Sequence, residues 1–334
     1  MQPELFQAAT AGDATRVQVA LASGADPNTR STFRWTALHT AAAKGNAAIV
    51  DLLMAAGADV NATCPYTMNV DRELYDGTHT ALLLALRNDH EDVAVQLLDR
   101  GADPDAEDAL DRARPIHEAA KRGFARAVDR LIGRGADLGA REGYQAKSAL
   151  VEAVQAGHAA VALRLLGAGA PAEPRALYEA AYRNLPDVAA RLLEAGIHVD
   201  AEAADANALY AAAWAGHAAM IEWLLARGAS LAPVGAKALF AAANAGRTEA
   251  VRVLVARGVP VDAVDEHGWT ALLAAAWQGH ADTVALLLAS GADLAHRERT
   301  GKTALTWARE GKRADVIALL EAAERGGRSQ GGRP

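Results

Sequence analysis

The chain has 334 residues, with 34 basic and 41 acidic side chains for a net charge of −7; 51% are hydrophobic, 84 are alanine, and only 5% are aromatic. A mildly acidic, evenly mixed charge excludes the basic face that a nucleic-acid backbone requires, and no apolar run reaches the roughly 20 residues that span a bilayer. An interior so rich in alanine must be built by close approach of small residues, unlike the bulky core of a conventional enzyme.

The length allows two ordinary domains or one elongated repeat array. The start, Met1 to Phe6, lacks a signal-peptide pattern, and a single cysteine, Cys64, fits a reducing compartment, so a cytoplasmic location is expected. Only 6 of the 34 basic residues are lysine, which points to a GC-rich, bacterial genome.

A repeat unit is visible from the first residues onward. A leucine-type marker recurs at Leu5, Leu38, Leu82, Ile116, Leu150, Leu177, Leu209, Leu239, Leu272 and Leu305. After each of the first nine, a glycine follows 19 residues later, at 24, 57, 101, 135, 169, 196, 228, 258 and 291. Nineteen residues hold two short antiparallel helices that must keep register with the next pair. All length variation falls in the connections, where insertions cost little. Thr36, Thr80, Ser148, Asn207, Thr270 and Thr303, two before the marker, are expected to cap the first helix. Glycines 12, 45, 123, 157, 216, 246 and 279, seven after it, are expected to end that helix in the left-handed region, as are Asp89 and Asn184.

The stretch Thr36-Ala37-Leu38-His39, followed by Gly57-Ala58-Asp59 and repeated at Thr270-Ala271-Leu272 to Asp293, resembles the ankyrin repeat. The resemblance covers about ten units and implies an all-α, ankyrin-repeat α-solenoid with short β-hairpin fingers. Residues 1–324 are assigned to the array and 325–334 to a disordered Gly/Arg-rich tail. The last unit carries a one-residue contraction around Gly311. Alanines such as Ala41, Ala42, Ala212, Ala213, Ala275 and Ala276 are expected to let neighbouring first helices approach closely.

Three connections depart by more than one residue from the 14-residue spacing of Gly24 to Leu38. Gly57 to Leu82 spans 25 residues, an insertion loop at 62–79 carrying Cys64, Tyr66, Met68 and Tyr75, with Asp71, Arg72, Glu73 and Asp76 keeping it polar. Gly169 to Leu177 spans 8 and Gly228 to Leu239 spans 11, so fingers in the second half are lost or truncated, with Arg175 and Lys237 in place of the cap. Tyr178, Tyr210 and Phe240 replace the histidine one after the marker. They are expected to fill the space of the missing fingers; the other reading is a widened groove with aromatic walls.

No catalytic constellation is complete. His117-Glu118 has Lys121 where a zinc helix needs its second histidine, and Gly301-Lys302-Thr303 has His296 where a phosphate loop needs glycine. Asp103, Asp105, Glu107, Asp108 and Asp111 have calcium-like spacing, but Asp108 stands where glycine is required, and a solvated finger tip is the expected reading. His90, His158, His217 and His280, eight after a marker, and His39 and His117, one after it, read as structural hydrogen-bonding positions. Cys64 and His79 share a loop without marking a triad. The tail's Arg325-Gly326-Gly327-Arg328 is too short for an RNA-binding segment. No enzyme, cofactor or metal is expected.

Function is therefore sought in binding. The residue five after each marker should face the concave groove, and it reads Thr10, Ala43, Arg87, Lys121, Gln155, Tyr182, Trp214, Asn244, Trp277 and Glu310. Tyr182, Trp214 and Trp277 are candidate hot spots, or else cover the edges of neighbouring helices. Trp35 and Trp269 at finger bases, and Tyr66 and Tyr75 in the insertion, are further candidates. Trp223 and Trp307 are expected in the core, and the alternating charges of units three and four on the surface. The expected function is a monomeric protein-binding module with a protein partner, no nucleic acid and no membrane. The alternatives are a small-ligand or enzymatic role near units six to eight, using Arg175, Arg183, Asn184 and Lys237, or a scaffold or secreted effector.

Overall fold

The computed structural model describes residues 2–67, 74–232, 234–265 and 267–330. The chain divides into two compact units, Met1–Pro171 and Ala172–Pro334. Among the described residues each unit is a row of five helix pairs.

In the first unit the pairs are α1 (Gln2–Ala11) with α2 (Ala14–Ala22), α3 (Ala37–Ala43) with α4 (Ala47–Ala55), and α5 (Ala81–Arg87) with α6 (Glu91–Asp99). They continue with α7 (Pro115–Arg122) and α8 (Ala125–Gly133), then α9 (Ala149–Ala156) and α10 (Ala159–Gly167). In the second unit they are α11 (Pro174–Tyr182) with α12 (Pro186–Glu194), α13 (Ala208–Ala215) with α14 (Ala218–Leu225), and α15 (Val234–Asn244) with α16 (Thr248–Ala256). The last two are α17 (Ala271–Gln278) with α18 (Ala281–Ala289), and α19 (Ala304–Glu310) with α20 (Ala314–Gln330).

First helices pack on first helices: α3 lies between α1 and α5, and α13 between α11 and α15. Ala41, Ala42, Ala212, Ala213, Ala275 and Ala276 are wholly buried there. A larger side chain at such a contact would force the helices apart. The marker leucines complete the core; Leu38, Leu82, Leu150, Leu209 and Leu272 are buried.

The expected caps are all in place. Thr36, Thr80, Ser148, Asn207, Thr270 and Thr303 have extended backbones, and each side chain accepts the N–H three residues on. At the other end, the residue seven after every marker is left-handed, with φ between 56° and 89°. Asp89 and Asn184 obey this as expected. The tenth unit corrects the sequence reading: Lys312 takes the left-handed position at φ 56° while Gly311 remains helical at φ −75°. No residue is lost there. Backbone geometry holds the interval, and the glycine merely sits one place early.

At three of these turns, the histidine eight after the next marker leaves room only for glycine. A Cβ on Gly45 would stand 2.5 Å from Nδ1 of His90, one on Gly123 2.6 Å from that of His158, and one on Gly246 2.6 Å from that of His280. The imidazole of each pair thus stacks on the turn of the pair before it. Its Nε2–H donates to the carbonyl five after the preceding marker: His90 to Ala43 at 3.2 Å, His217 to Tyr182 at 3.0 Å, His280 to Asn244 at 3.0 Å. Arg247 and Arg313 do the same with Nε, to Trp214 and Trp277. Each of these carbonyls belongs to the last turn of a helix and has no partner within it.

His39 and His117 work one layer away. Backbone N–H groups of Thr36 and Arg114 donate to their Nδ1 atoms, so Nε2 carries the proton and donates to the carbonyls of Ala62 and Ala140. Burial lowers the His39 pKa to about 4, which keeps it neutral.

Several connections differ from expectation. The insertion is not an irregular loop: β1 (Thr63–Thr67) and β2 (Leu74–Thr80) pair antiparallel, with Cys64 opposite His79 and Tyr66 opposite Tyr75. Met68 and residues 71–73 lie outside the described residues. A second short hairpin pairs β3 (Arg141–Glu142) with β4 (Lys147–Ser148). Arg175 and Lys237 are not caps. Where fingers are shortened, the chain winds α11 backwards by two residues and α15 by four, leaving both residues inside the helix; Glu173 is the N-cap of α11 and Pro174 follows it. Helix α20 runs on to Gln330, through residues assigned to the tail, and 331–334 lie outside the described residues.

Gly246→Ala should cost about 2–3 kcal/mol, from left-handed strain and the lost His280 hydrogen bond. Gly258→Ala, at φ +93° with nothing near its Cβ, bears the strain alone and should cost less. In a His280→Ala background the two costs should become equal in urea denaturation; a Gly246 cost unaffected by His280 contradicts the stacking account.

Candidate functional site

The fingers are tied into a ladder by one recurring bond. Asp59 N–H donates to Asn28 Oδ1, Asp103 N–H to Asn61, Asp137 N–H to Asp105, Ser230 N–H to Asp200, and Asp293 N–H to Asp262. Each runs from 21 after one marker to 23 after the marker before it. At the truncated finger both partners are gone: the acceptor position is Ala232 and the donor position is Pro260, which has no N–H. The ladder is interrupted there without leaving an orphaned amide.

The gap is a cavity of about 690 Å³. One wall is the finger turn Ala203–Ala206, closed by a bridge between those two residues. The other is Val264 and Asp265 from the next intact finger, where Asp265 Oδ1 accepts the N–H groups of His267 and Trp269. The floor comes from Tyr178 on α11, Tyr210 and Trp214 on α13, and Ala236, Lys237 and Phe240 on α15. Tyr178, Tyr210 and Phe240 are only half-buried. They line the space instead of filling it, which corrects the packing expectation: a ring at one helix position cannot replace a whole turn of chain. Burial raises both tyrosine pKa values, with Glu179 adding to the effect at Tyr178. Trp214 is 47% exposed and meets Tyr210 edge-on at 5.7 Å.

The three groove candidates do not converge. Trp214 lines the cavity; Tyr182, also exposed, lies outside it with the Arg183 guanidinium 5.8 Å from its ring. Trp277 packs edge-on against Trp307 at 5.1 Å, and Trp307 stacks on Trp269 at 5.0 Å with Lys302 Nζ over it at 4.1 Å. Trp307 is therefore a half-buried member of a surface cluster, not a core residue. Trp223 is half-buried too, under the Arg227 guanidinium at 3.7 Å. Trp35 is half-buried beside His39 in the first unit, at the base of a turn closed by Ser31 N–H to Trp35 O. Tyr66 and Tyr75 are cross-strand partners by backbone register, and their side chains lie outside the described residues. Of Arg175, Arg183, Asn184 and Lys237, only Lys237 reaches the cavity.

The largest departure from expectation is in the first unit. Asp108 is not solvated at a finger tip; its exposure is 0%. Arg87 of α5 binds it through Nη1 at 2.6 Å, Asp111 through Nη2 at 2.9 Å and Glu118 of α7 through Nε at 2.6 Å. Arg87 Nη1 also donates to His79 Nε2 at 2.5 Å, and burial holds the His79 pKa down. Arg122 pairs with Glu118 and with Asp89. The aspartates with calcium-like spacing instead cap turns: Asp103, Asp108 and Asp111 accept the N–H two residues on, and Asp105 accepts that of Asp137. The sequence held one signal for this, an arginine at a groove position within reach of surplus acid. Other pairs of these units, such as Arg126 with Glu91 and Asp92, are exposed as expected. Cys64 is buried with its pKa pushed up to about 12, so the thiol stays protonated and a weak nucleophile.

Capped helix pairs, left-handed turns and laddered fingers define a repeat solenoid that presents fingers and first helices. A family model described as ankyrin repeats (3 copies) matches residues 5–108, 150–234, 209–298 and 239–327, and the chain belongs to the ankyrin repeat family. It is similar to the human ASB11 ankyrin repeat domain, at 29% identity and a TM-score of 0.54, over 62% of this chain and 98% of that one. Comparison with curated proteins gives no match. Ankyrin repeats are protein-interaction modules. No described helix is long and apolar enough to cross a membrane.

Arg87→Met should destabilise the first unit by about 3–5 kcal/mol, because it strands a buried carboxylate. Arg126→Met should leave stability nearly unchanged. Equal urea midpoints for the two variants would contradict the buried network.

Proposed function

We propose that the chain is a monomeric protein-binding module that recognises a partner protein through the finger-and-first-helix face of its second unit, and performs no catalysis. The observation that carries this reading is the cavity at the missing finger, whose volume suits an anchor side chain with its neighbours. Its lining includes Trp214 and two tyrosines, residue types that dominate binding hot spots. The Trp269–Trp277–Trp307 cluster adds aromatic surface to the same unit. Tyr66 and Tyr75 of the insertion hairpin are the secondary contact. The set expected for a small-ligand or enzymatic role does not converge there, since of Arg175, Arg183, Asn184 and Lys237 only Lys237 lines the cavity.

Affinity capture from native lysate tests the proposal when wild type is compared with a Trp214→Ala/Trp277→Ala variant of unchanged circular dichroism. The variant should retain its partners at least tenfold more weakly. The same partners at unchanged affinity would overturn the groove assignment.

A further inference from the structure

Three aromatic faces in the second unit carry a cation from this chain: Arg183 on Tyr182, Arg227 on Trp223 and Lys302 on Trp307. Among the described residues, the rings of the cavity carry none. Trp214 and Tyr210 meet each other edge-on, and both line the space between the fingers. Two carboxylates stand at the rim on opposite walls. Asp205 is exposed at the tip of the first finger and has no ion pair or hydrogen bond among the described residues. Asp265 uses Oδ1 for its turn and has no ion pair there either. The one cation on the lining, Lys237, pairs with neither, so the cavity keeps a net negative charge.

We infer that the cavity at the missing finger takes an arginine side chain from a partner peptide, its guanidinium stacked on Trp214 beside Tyr210 and forked to Asp205 or Asp265. A guanidinium is planar and weakly hydrated, so it stacks on a ring and keeps in-plane N–H groups for a carboxylate. A lysine ammonium offers a point charge and no flat face. The apolar remainder, Val264, Phe240 and the alanines, accepts the methylene stem and a flanking apolar residue. The inference rests on the protein-binding reading and names the anchor chemistry within it.

The test titrates the full-length, isotope-labelled chain with blocked tripeptides Ala-Arg-Ala, Ala-Gln-Ala and Ala-Glu-Ala. Indole N–H signals are followed, and that of Trp214 is assigned with Trp214→Phe. The arginine peptide should shift the Trp214 signal saturably, with the glutamine peptide at least tenfold weaker. Asp205→Asn, at an exposed site without intramolecular partners, should weaken the arginine peptide several-fold, and Lys237→Ala should tighten it. Equal binding of the arginine and glutamine peptides, preference for the glutamate peptide, or an unmoved Trp214 signal overturns the inference. If the arginine peptide fails while partner retention still depends on Trp214, this inference falls and the protein-binding reading stands. If it binds while Trp214→Ala/Trp277→Ala retains partners unchanged, the groove assignment falls and the cation site stands.

Discussion

At five junctions between successive helix pairs, one side chain laid across a left-handed turn attaches a pair to its predecessor. A histidine or arginine eight after the marker donates to a carbonyl at the end of the preceding first helix. It reaches that carbonyl over a residue that has no room for a Cβ wherever histidine sits on glycine. The bond satisfies a carbonyl that the helix itself leaves open, and it fixes both the spacing and the rotation of successive pairs. A change of length between marker and turn would break it at each of these junctions. The tenth unit shows how strong this constraint is: Lys312 accepts a positive φ where the glycine has slipped one place.

Because the pairs cannot vary, the connections do. A shortened connection removes a finger, and α15 is wound back by a turn to close the distance. Neighbouring fingers remain where their own pairs hold them, so the deletion becomes a cavity between them and not a collapse of the row. Ala232 and Pro260 make the interruption tolerable, since neither leaves a ladder group unsatisfied. The site is thus a consequence of rigid pairs and a dispensable finger. Its rings are fixed on helices, which gives them a defined geometry before any partner arrives.

Most of the fold was legible in the sequence because it follows from local rules. Caps at Thr36 or Asn207 and left-handed turns at Gly45 or Asn184 are decided by a few adjacent atoms, and residue types announce them. The candidate site was legible in part. The short connection at 228–239 and the rings at Tyr178, Tyr210 and Phe240 were visible, but whether they fill or line the gap depends on the reach of two fingers far away in the chain. Asp205 and Asp265 gave no signal, since an acidic residue at a finger tip is ordinary. The Arg87–Asp108 pair was missed for a related reason. Spacing along the chain placed Asp108 in a loop, whereas its burial is set by β2, α5 and α7 closing around it. Trp307 likewise was assigned to the core by helical periodicity, yet it ends at the surface between two other tryptophans.

The central claim is that the lost finger creates the binding site. Replacing residues 229–238 with the thirteen-residue connection 259–271 would restore a full finger between Gly228 and Leu239. The account predicts a chimera with the helical content of the parent and no retention of those partners whose binding depends on Trp214. Retention of the same partners at unchanged affinity, with the finger in place, would contradict it.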